Sequence, residues 1–242
     1  MADKKLEKAL YGPSMTEVAL GAVLGLVIGV LGACVYLVFK PVVQVKELPK
    51  EPLLSVVYYI PGNESNAKSK GWQAKQKQFL AGKVTTLSLV EDELNMWGNT
   101  IAGPTPAAPA PKGAKPGAKP GAKADDAPKP AVDGIFNPGK PNFRIVEDKL
   151  QIGGKCLLNW YGLTYEVTYM TTGTFSKSGD SISFSADKVY LGSCPFHLLP
   201  AASGPLVAHM ISKMKVPDEV RAAWSKLNSV TIEGGALKFA TQ

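Results

Sequence analysis

Arginine is nearly missing from this chain: of 242 residues, only Arg144 and Arg221 carry a guanidinium. The formal charge is nevertheless +7. Six of the lysines behind it (112, 115, 119, 123, 129 and 140) fall in residues 102–141, beside three aspartates, 125, 126 and 133. Base-specific readout leans on Arg, Asn and Gln carried on a groove-sized element. No such element accompanies these lysines, so the basic balance points away from nucleic acid. Cysteine and histidine are equally scarce, at three and two. No CxxC and no Cys/His pair at ligand spacing occurs, so no metal site is expected. There is no P-loop, no GxGxxG after a strand, no GxSxG and no HExxH. Ser193, Cys194 and His197 lie too close along one loop to meet as nucleophile and base, and no orienting acid accompanies them. Asp92 and Glu93 read as ordinary first-turn acids of a helix. The expectation is a protein that is not an enzyme and carries no cofactor.

Charge is also absent from Val18 to Phe39, a window of 22 residues bounded by Glu17 and Lys40. At about 1.5 Å per residue such a helix covers a hydrocarbon core of about 30 Å. Tyr36 and Phe39 sit at its C-terminal end, where aromatic residues favour the interface, and Pro41 helps to stop it. Leu31-Gly32-Ala33-Cys34 has the form of a lipoprotein cleavage box, in which Cys34 would become a lipidated N-terminus. Against that, Val35 to Phe39 continue the apolar run past Cys34, whereas cleavage normally follows directly behind a shorter core of about 7–15 residues. The favoured reading is an uncleaved span, 18–39, after a short tail, 1–17. Gly21, Gly25, Gly29 and Ala33 recur every four residues, a stripe that lets two helices approach closely. A homodimer through the span is therefore one expected partnership, the lipid bilayer being the other. Lysines flank the span equally on both sides. The short N-terminal tail and the Ala/Pro/Lys segment downstream favour a domain outside a bacterial cytoplasmic membrane.

Beyond the span, hydrophobic patterning predicts one α+β domain over 50–242, interrupted by a disordered insertion, 102–141, rich in Ala, Pro, Gly and Lys. Such a composition cannot bury enough apolar area to offset chain entropy. Before it come a strand over 53–60, a helix over 66–81 with Trp72, Gln76, Phe79 and Leu80 on one side, and a short strand over 84–87. A capping box at Ser88-Leu89-Val90-Glu91 then predicts a helix with Leu89, Leu94 and Trp97 inward. After it, a hairpin (143–146 and 149–152) leads into strands over 156–160, 163–175 and 182–191, an antiparallel meander with one buried face. A helix over 204–214, a second opened by Pro217, and strands over 230–232 and 237–239 about Gly234-Gly235 complete the domain. If the domain is exported, Cys156 and Cys194 form a possible disulfide pair.

Two stretches carry a family resemblance. Ser88 to Asn95 resembles the "LSxEELN" helix start of YpmS-like membrane-anchored extracytoplasmic domains. The tail from Val189-Tyr190-Leu191-Gly192-Ser193-Cys194-Pro195 through Val216–Val220 to the closing Val230–Phe239 is similar too. The resemblance implies one N-terminal span and an α+β domain with a curved antiparallel sheet packed with helices; the long insertion departs from it. It names no activity. Two roles follow from the residues. A binding module would hold an apolar ligand, a lipid for example, between sheet and helices, lined by Tyr165, Tyr169, Phe184, Met210 and Trp224. An assembly subunit would work through the striped span. The five side chains would otherwise serve only to fill the core.

Overall fold

The computed structural model describes residues 12–63, 71–82, 85–101, 134–160, 163–179, 181–213 and 216–241. It is a mixed α+β structure in which one long apolar helix leads into antiparallel sheets with a few helices around them. The helix, α1 (Met15–Phe39), is long and apolar enough to cross a membrane. It begins three residues before the uncharged window because Ser14 caps it. The Ser14 hydroxyl accepts from the Glu17 N–H at 3.3 Å, and the Glu17 carboxylate accepts from the Ser14 N–H at 3.2 Å. This reciprocal pair satisfies two backbone donors that a helix start leaves open.

After the span, β1 (Val43–Gln44) and β2 (Tyr58–Tyr59) form a short parallel pair. The predicted strand over 53–60 is thus cut down to two residues. The rest of its run crosses the sheet as a strap, held side chain to backbone. Asn142 Oδ1 accepts from the Gly62 N–H at 2.5 Å, and Gln151 donates to the Ile60 carbonyl at 3.0 Å. The Tyr59 ring lies over Gly153, where any Cβ would stand 2.5 Å from the ring. A side chain there would displace the strap.

A six-stranded sheet dominates the domain. Its strands are β4 (Phe136–Pro138), β5 (Asn142–Val146), β6 (Lys149–Trp160), β7 (Leu163–Ser178), β8 (Ser181–Leu191) and β9 (Cys194–Pro195). They run in the order β4-β6-β7-β8-β9, with β5 also on β6. Both Glu147 and Asp148, between β5 and β6, have positive φ, 51° and 54°. That is what a two-residue type I′ hairpin requires. The predicted strand over 156–160 merges with the second hairpin strand into one element of 12 residues. β4 corrects the sequence reading: residues 136–138 were expected inside the disordered insertion but pair with Cys156 to Leu158. Phe136 explains it, since its ring is buried against Tyr169 at 6.4 Å. The rest of the predicted insertion, residues 102–133, lies outside the described residues.

A second, three-stranded sheet has the order β10-β11-β3, built from β3 (Thr86–Val90), β10 (Leu227–Glu233) and β11 (Ala236–Thr241). Helices α2 (Gly71–Ala81), α3 (Glu91–Ile101) and α5 (Asp218–Trp224) pack around it. Here the predicted capping box is displaced. Ser88 is a strand residue paired with Lys238, and α3 starts only at Glu91. The reach-back to the residue ahead of the helix comes from Glu93, whose carboxylate accepts from the Val90 N–H at 3.1 Å and from Lys75 at 2.6 Å. Strand pairing through Leu89, 1% exposed, outweighs the local cap.

The two sheets meet in one core. Leu87, Leu89, Trp97 and Phe239 come from the small sheet and α3; Leu150, Ile152, Phe175 and Phe184 come from the large one. The outer edge of β5 would leave its backbone groups buried and unpaired, at a cost of about 1–3 kcal/mol each. Side chains of α3 cover them. Asn95, 1% exposed, donates to the Phe143 carbonyl and accepts from the Phe143 N–H, both at 2.7 Å, so its amide imitates a neighbouring strand. Glu91 accepts from the Ile145 N–H at 3.0 Å and the Asn63 N–H at 2.7 Å. Replacing Asn95 with Ala should therefore cost roughly 2–4 kcal/mol of stability, read as a lower urea midpoint with an unchanged m-value.

Candidate functional site

The floor of the site is β8. Its side chains alternate until Asp187, where one extra residue interrupts the pairing: Lys188 faces Thr172, and the next pair is Ala186 with Gly173. This bulge swaps odd for even positions. Phe184 and Ala186 before it therefore share a face with Val189 and Leu191 after it, and the burial along the strand follows that face. Asp187 itself turns outward and pairs with Lys149 at 2.7 Å.

The wall is α4 (Pro200–Lys213), reached through a short 3-10 turn, Phe196–Leu198. The helix was expected to start at Gly204. It begins four residues earlier and carries Pro205 inside, in its second turn. Leu206 and Phe196 anchor it to a second core cluster containing Phe136, Cys156, Val167, Tyr169 and Leu191. The face that turns toward β8 carries Ser203, Gly204, Val207 and Ala208, at spacings of four. These are small side chains, and opposite them stand Ala186 and Val189. The layers cannot close completely, and an open groove of about 270 Å³ remains, bounded at one end by Phe184. That lies just below the range of about 300–1,000 Å³ usual for ligand pockets. Among the described residues nothing lies within 4 Å of the place a Gly204 Cβ would take. Among the described residues the groove has no charged side chain in its lining. It can sequester an apolar group, with the Ser203 hydroxyl as a polar contact.

Of the five residues expected to line a cavity, the four whose side chains are described do not converge. Phe184 borders the groove and stacks edge-on with Phe175 at 5.4 Å, which in turn meets Trp224 at 5.7 Å. Trp224 belongs to the main core and donates its indole N–H to the Ile182 carbonyl at 3.1 Å. Tyr169 is fully buried in the second cluster. Tyr165 is 40% exposed and packs against Phe39 of the span at 4.9 Å. Met210 lies on α4, and its side chain falls outside the described residues. What the aromatic list missed are the small residues Ala186, Ser203, Gly204 and Ala208. For Ser203 and Gly204 the signal was the run Ala201-Ala202-Ser203-Gly204 at the head of an otherwise apolar helix.

At its other end β8 runs into the span. The turn Gly192-Ser193 packs on the C-terminus of α1, where helix carbonyls lack intrahelical partners. The Ser193 N–H donates to the Leu37 carbonyl at 2.9 Å, and its hydroxyl donates to the carbonyls of Lys40 at 3.2 Å and Pro41 at 3.4 Å. Gly192 has φ +58°, and a Cβ there would stand 2.0 Å from the Val38 carbonyl oxygen, so only glycine fits. Ser193 is thereby committed to the helix end. His197 is also committed, its Nδ1 lying 3.2 Å from the Val189 carbonyl and its ring against Tyr190 at 5.0 Å.

Three titratable groups are strongly perturbed, all toward the neutral form. Burial, then the nearby Glu166 carboxylate, pushes the Cys156 thiol up to about 12. Burial, then Cys34, pushes Cys194 up to about 12. Burial, then Cys156 and Tyr59, raises Tyr169. The hydroxyls of Tyr169 and Thr171 are buried with no hydrogen-bond partner among the described residues. Cys156 donates to the Val167 carbonyl at 3.3 Å, and it is Cys34 that neighbours Cys194. Among the described residues no group of three His, Cys, Asp or Glu could hold a metal ion.

Compared with protein-family models, curated proteins and solved structures, the chain matches none of them.

Proposed function

We propose that this is a single-pass membrane protein of the bacterial cytoplasmic membrane whose domain lies outside the cell interior and binds an apolar chain, such as a lipid acyl group, in the groove between β8 and α4. The observation that carries this reading is the groove: about 270 Å³ between two layers whose facing residues are mostly small. It is floored by the strand that continues into the turn capping the span. Its Val189 stands three residues from Gly192, about 10 Å along an extended strand, so an acyl chain leaving the bilayer has a short path to it. Membership of the YpmS-like group is part of the same proposal and rests on the quoted residues alone.

Gly204→Leu tests the groove. The new side chain enters open space; the gain of about 0.5–1 kcal/mol from replacing a helical glycine is offset by the clash of the new Cβ with the ring of Pro205 that follows it, so an unchanged or slightly lower urea midpoint is expected. Binding of cis-parinaric acid, read by its fluorescence on the detergent-solubilised full chain, should fall at least tenfold. Unchanged binding would remove the groove from the proposal. Sidedness is tested by adding protease to sealed spheroplasts, where the domain should be digested without lysis; protection until lysis would place it in the cytoplasm.

A second reading, an assembly subunit, is favoured by the far side of the span. The domain half-buries Cys34, Leu37 and Val38. At 100° per residue, Gly21, Gly25, Gly29 and Ala33 lie mostly on the other side of the helix. Among the described residues nothing approaches within 4 Å of where a Cβ would stand on any of the three glycines. Gly25→Leu should abolish self-association of the span in an energy-transfer assay in vesicles if that face pairs; equal transfer in both forms would leave the span a plain anchor.

A further inference from the structure

Cys34 belongs to the span and Cys194 to the domain, 160 residues later. The fold brings them together. Cys34 lies one turn ahead of Leu37 and Val38 on the face of α1 that the domain covers, and its side chain is half-buried. Cys194 directly follows Ser193, whose N–H is bonded to the Leu37 carbonyl, and it is 1% exposed. α1 packs against β9, the strand that Cys194 opens, and Cys34 is close enough to act electrostatically on the Cys194 thiol. Cys156 sits elsewhere in the second cluster, its thiol engaged by the Val167 carbonyl.

We infer that Cys34 and Cys194 are a disulfide site that locks the membrane span onto the domain. The site is distinct from the groove and does not depend on what the groove holds. Its oxidant is a small-molecule or protein disulfide. The Cys34 sulfur, giving up its proton, attacks one sulfur of that disulfide and expels the other as a thiol. The Cys194 sulfur then attacks Cys34 in the mixed disulfide, loses its own proton and releases the second thiol. Two protein thiols lose two electrons in total, and one external disulfide becomes two thiols. Burial of Cys194 makes the link durable: a thiol that resists ionisation is a poor leaving group, so reductants displace it slowly. The bond would fix a joint otherwise held by Ser193 and by Val38 in the second cluster.

The test is a disulfide map of the full chain in detergent after treatment with oxidised glutathione, digested without reductant. The expected result is one internal link joining the peptides that contain Cys34 and Cys194, with an intact mass lower by two hydrogens. Cys156→Ala should keep the link, and Cys34→Ala should lose it while leaving Cys194 unlinked. A link from Cys194 to Cys156, a Cys34–Cys34 link between chains as the main product, or free Cys34 and Cys194 under conditions that oxidise them in the denatured chain would each overturn the inference. The result is independent of parinaric acid binding, so failure here leaves the groove untouched, and failure there leaves the joint untouched.

Discussion

A helix that ends against a folded domain leaves carbonyls in its last turn that the helix itself cannot satisfy. Here one hairpin turn meets that demand. Ser193 gives its backbone N–H to Leu37 and its hydroxyl to Lys40 and Pro41, and Gly192 allows the approach because it has no Cβ and tolerates a left-handed backbone. The consequence reaches beyond the turn. β8 cannot slide without breaking these bonds, and β8 is both the floor of the groove and the partner of β7, the longest strand. The position of the groove relative to the span is therefore set by backbone hydrogen bonds rather than by a flexible tether. Val38 packs in the same cluster as Leu191 and Leu206, so helix end, strand and α4 share one apolar contact. α1 has 25 residues, about 37 Å, against a hydrocarbon core of about 30 Å. The helix is thus about one turn longer than such a core requires, and it is the last turn that the domain meets.

The domain closes by the same logic, with side chains supplying what strand pairing leaves open. β5 borders the large sheet, and an uncovered edge invites pairing with another chain. Asn95 and Glu91 occupy that edge with side-chain acceptors and one donor, while the strap from Tyr58 to Gly62 covers the opposite face near Gly153. The three-stranded sheet then delivers Leu87, Leu89 and Phe239 into the core. Neither sheet has a complete core of its own: Leu150 and Phe175 of one pack with Trp97, Trp224 and Phe239 of the other and its helices.

Much of this architecture was legible because alternation and turn chemistry are local. The hairpin at Glu147-Asp148, the turn at Gly234-Gly235 and the inward sets on β7 and α2 follow from period and from residues that accept positive φ. Boundaries failed where tertiary contacts outweigh local preference. Ser88 looks like a cap but serves as a strand residue, because Leu87 and Leu89 gain more by pairing with β11. Phe136, in a Pro- and Gly-rich surround, is claimed by the second cluster. The candidate site failed for a different reason. Period identifies which face of a strand is buried, not which layer it meets, so Tyr169 and Trp224 look equivalent in the sequence yet enter separate clusters. The bulge at Asp187 shows in the sequence only as a switch of the apolar positions from even (Ile182, Phe184, Ala186) to odd (Val189, Leu191).

A void between close-packed layers needs a reason, since interiors normally fill to crystal-like density. Here the helix is held at one end by Leu206 and Phe196 in the second cluster. The strand is held at both, by Phe184 in the main core and by Gly192 on the span. α4 cannot settle further without pulling Leu206 away from Leu191, and β8 cannot rise without breaking the cap on α1. Longer side chains at Ala186 or Ala208, both in the lining of the groove, would occupy part of the gap. Small residues there forgo contacts that the chain could make with itself. An apolar guest would recover that forfeited packing, which supports the binding role proposed for the groove.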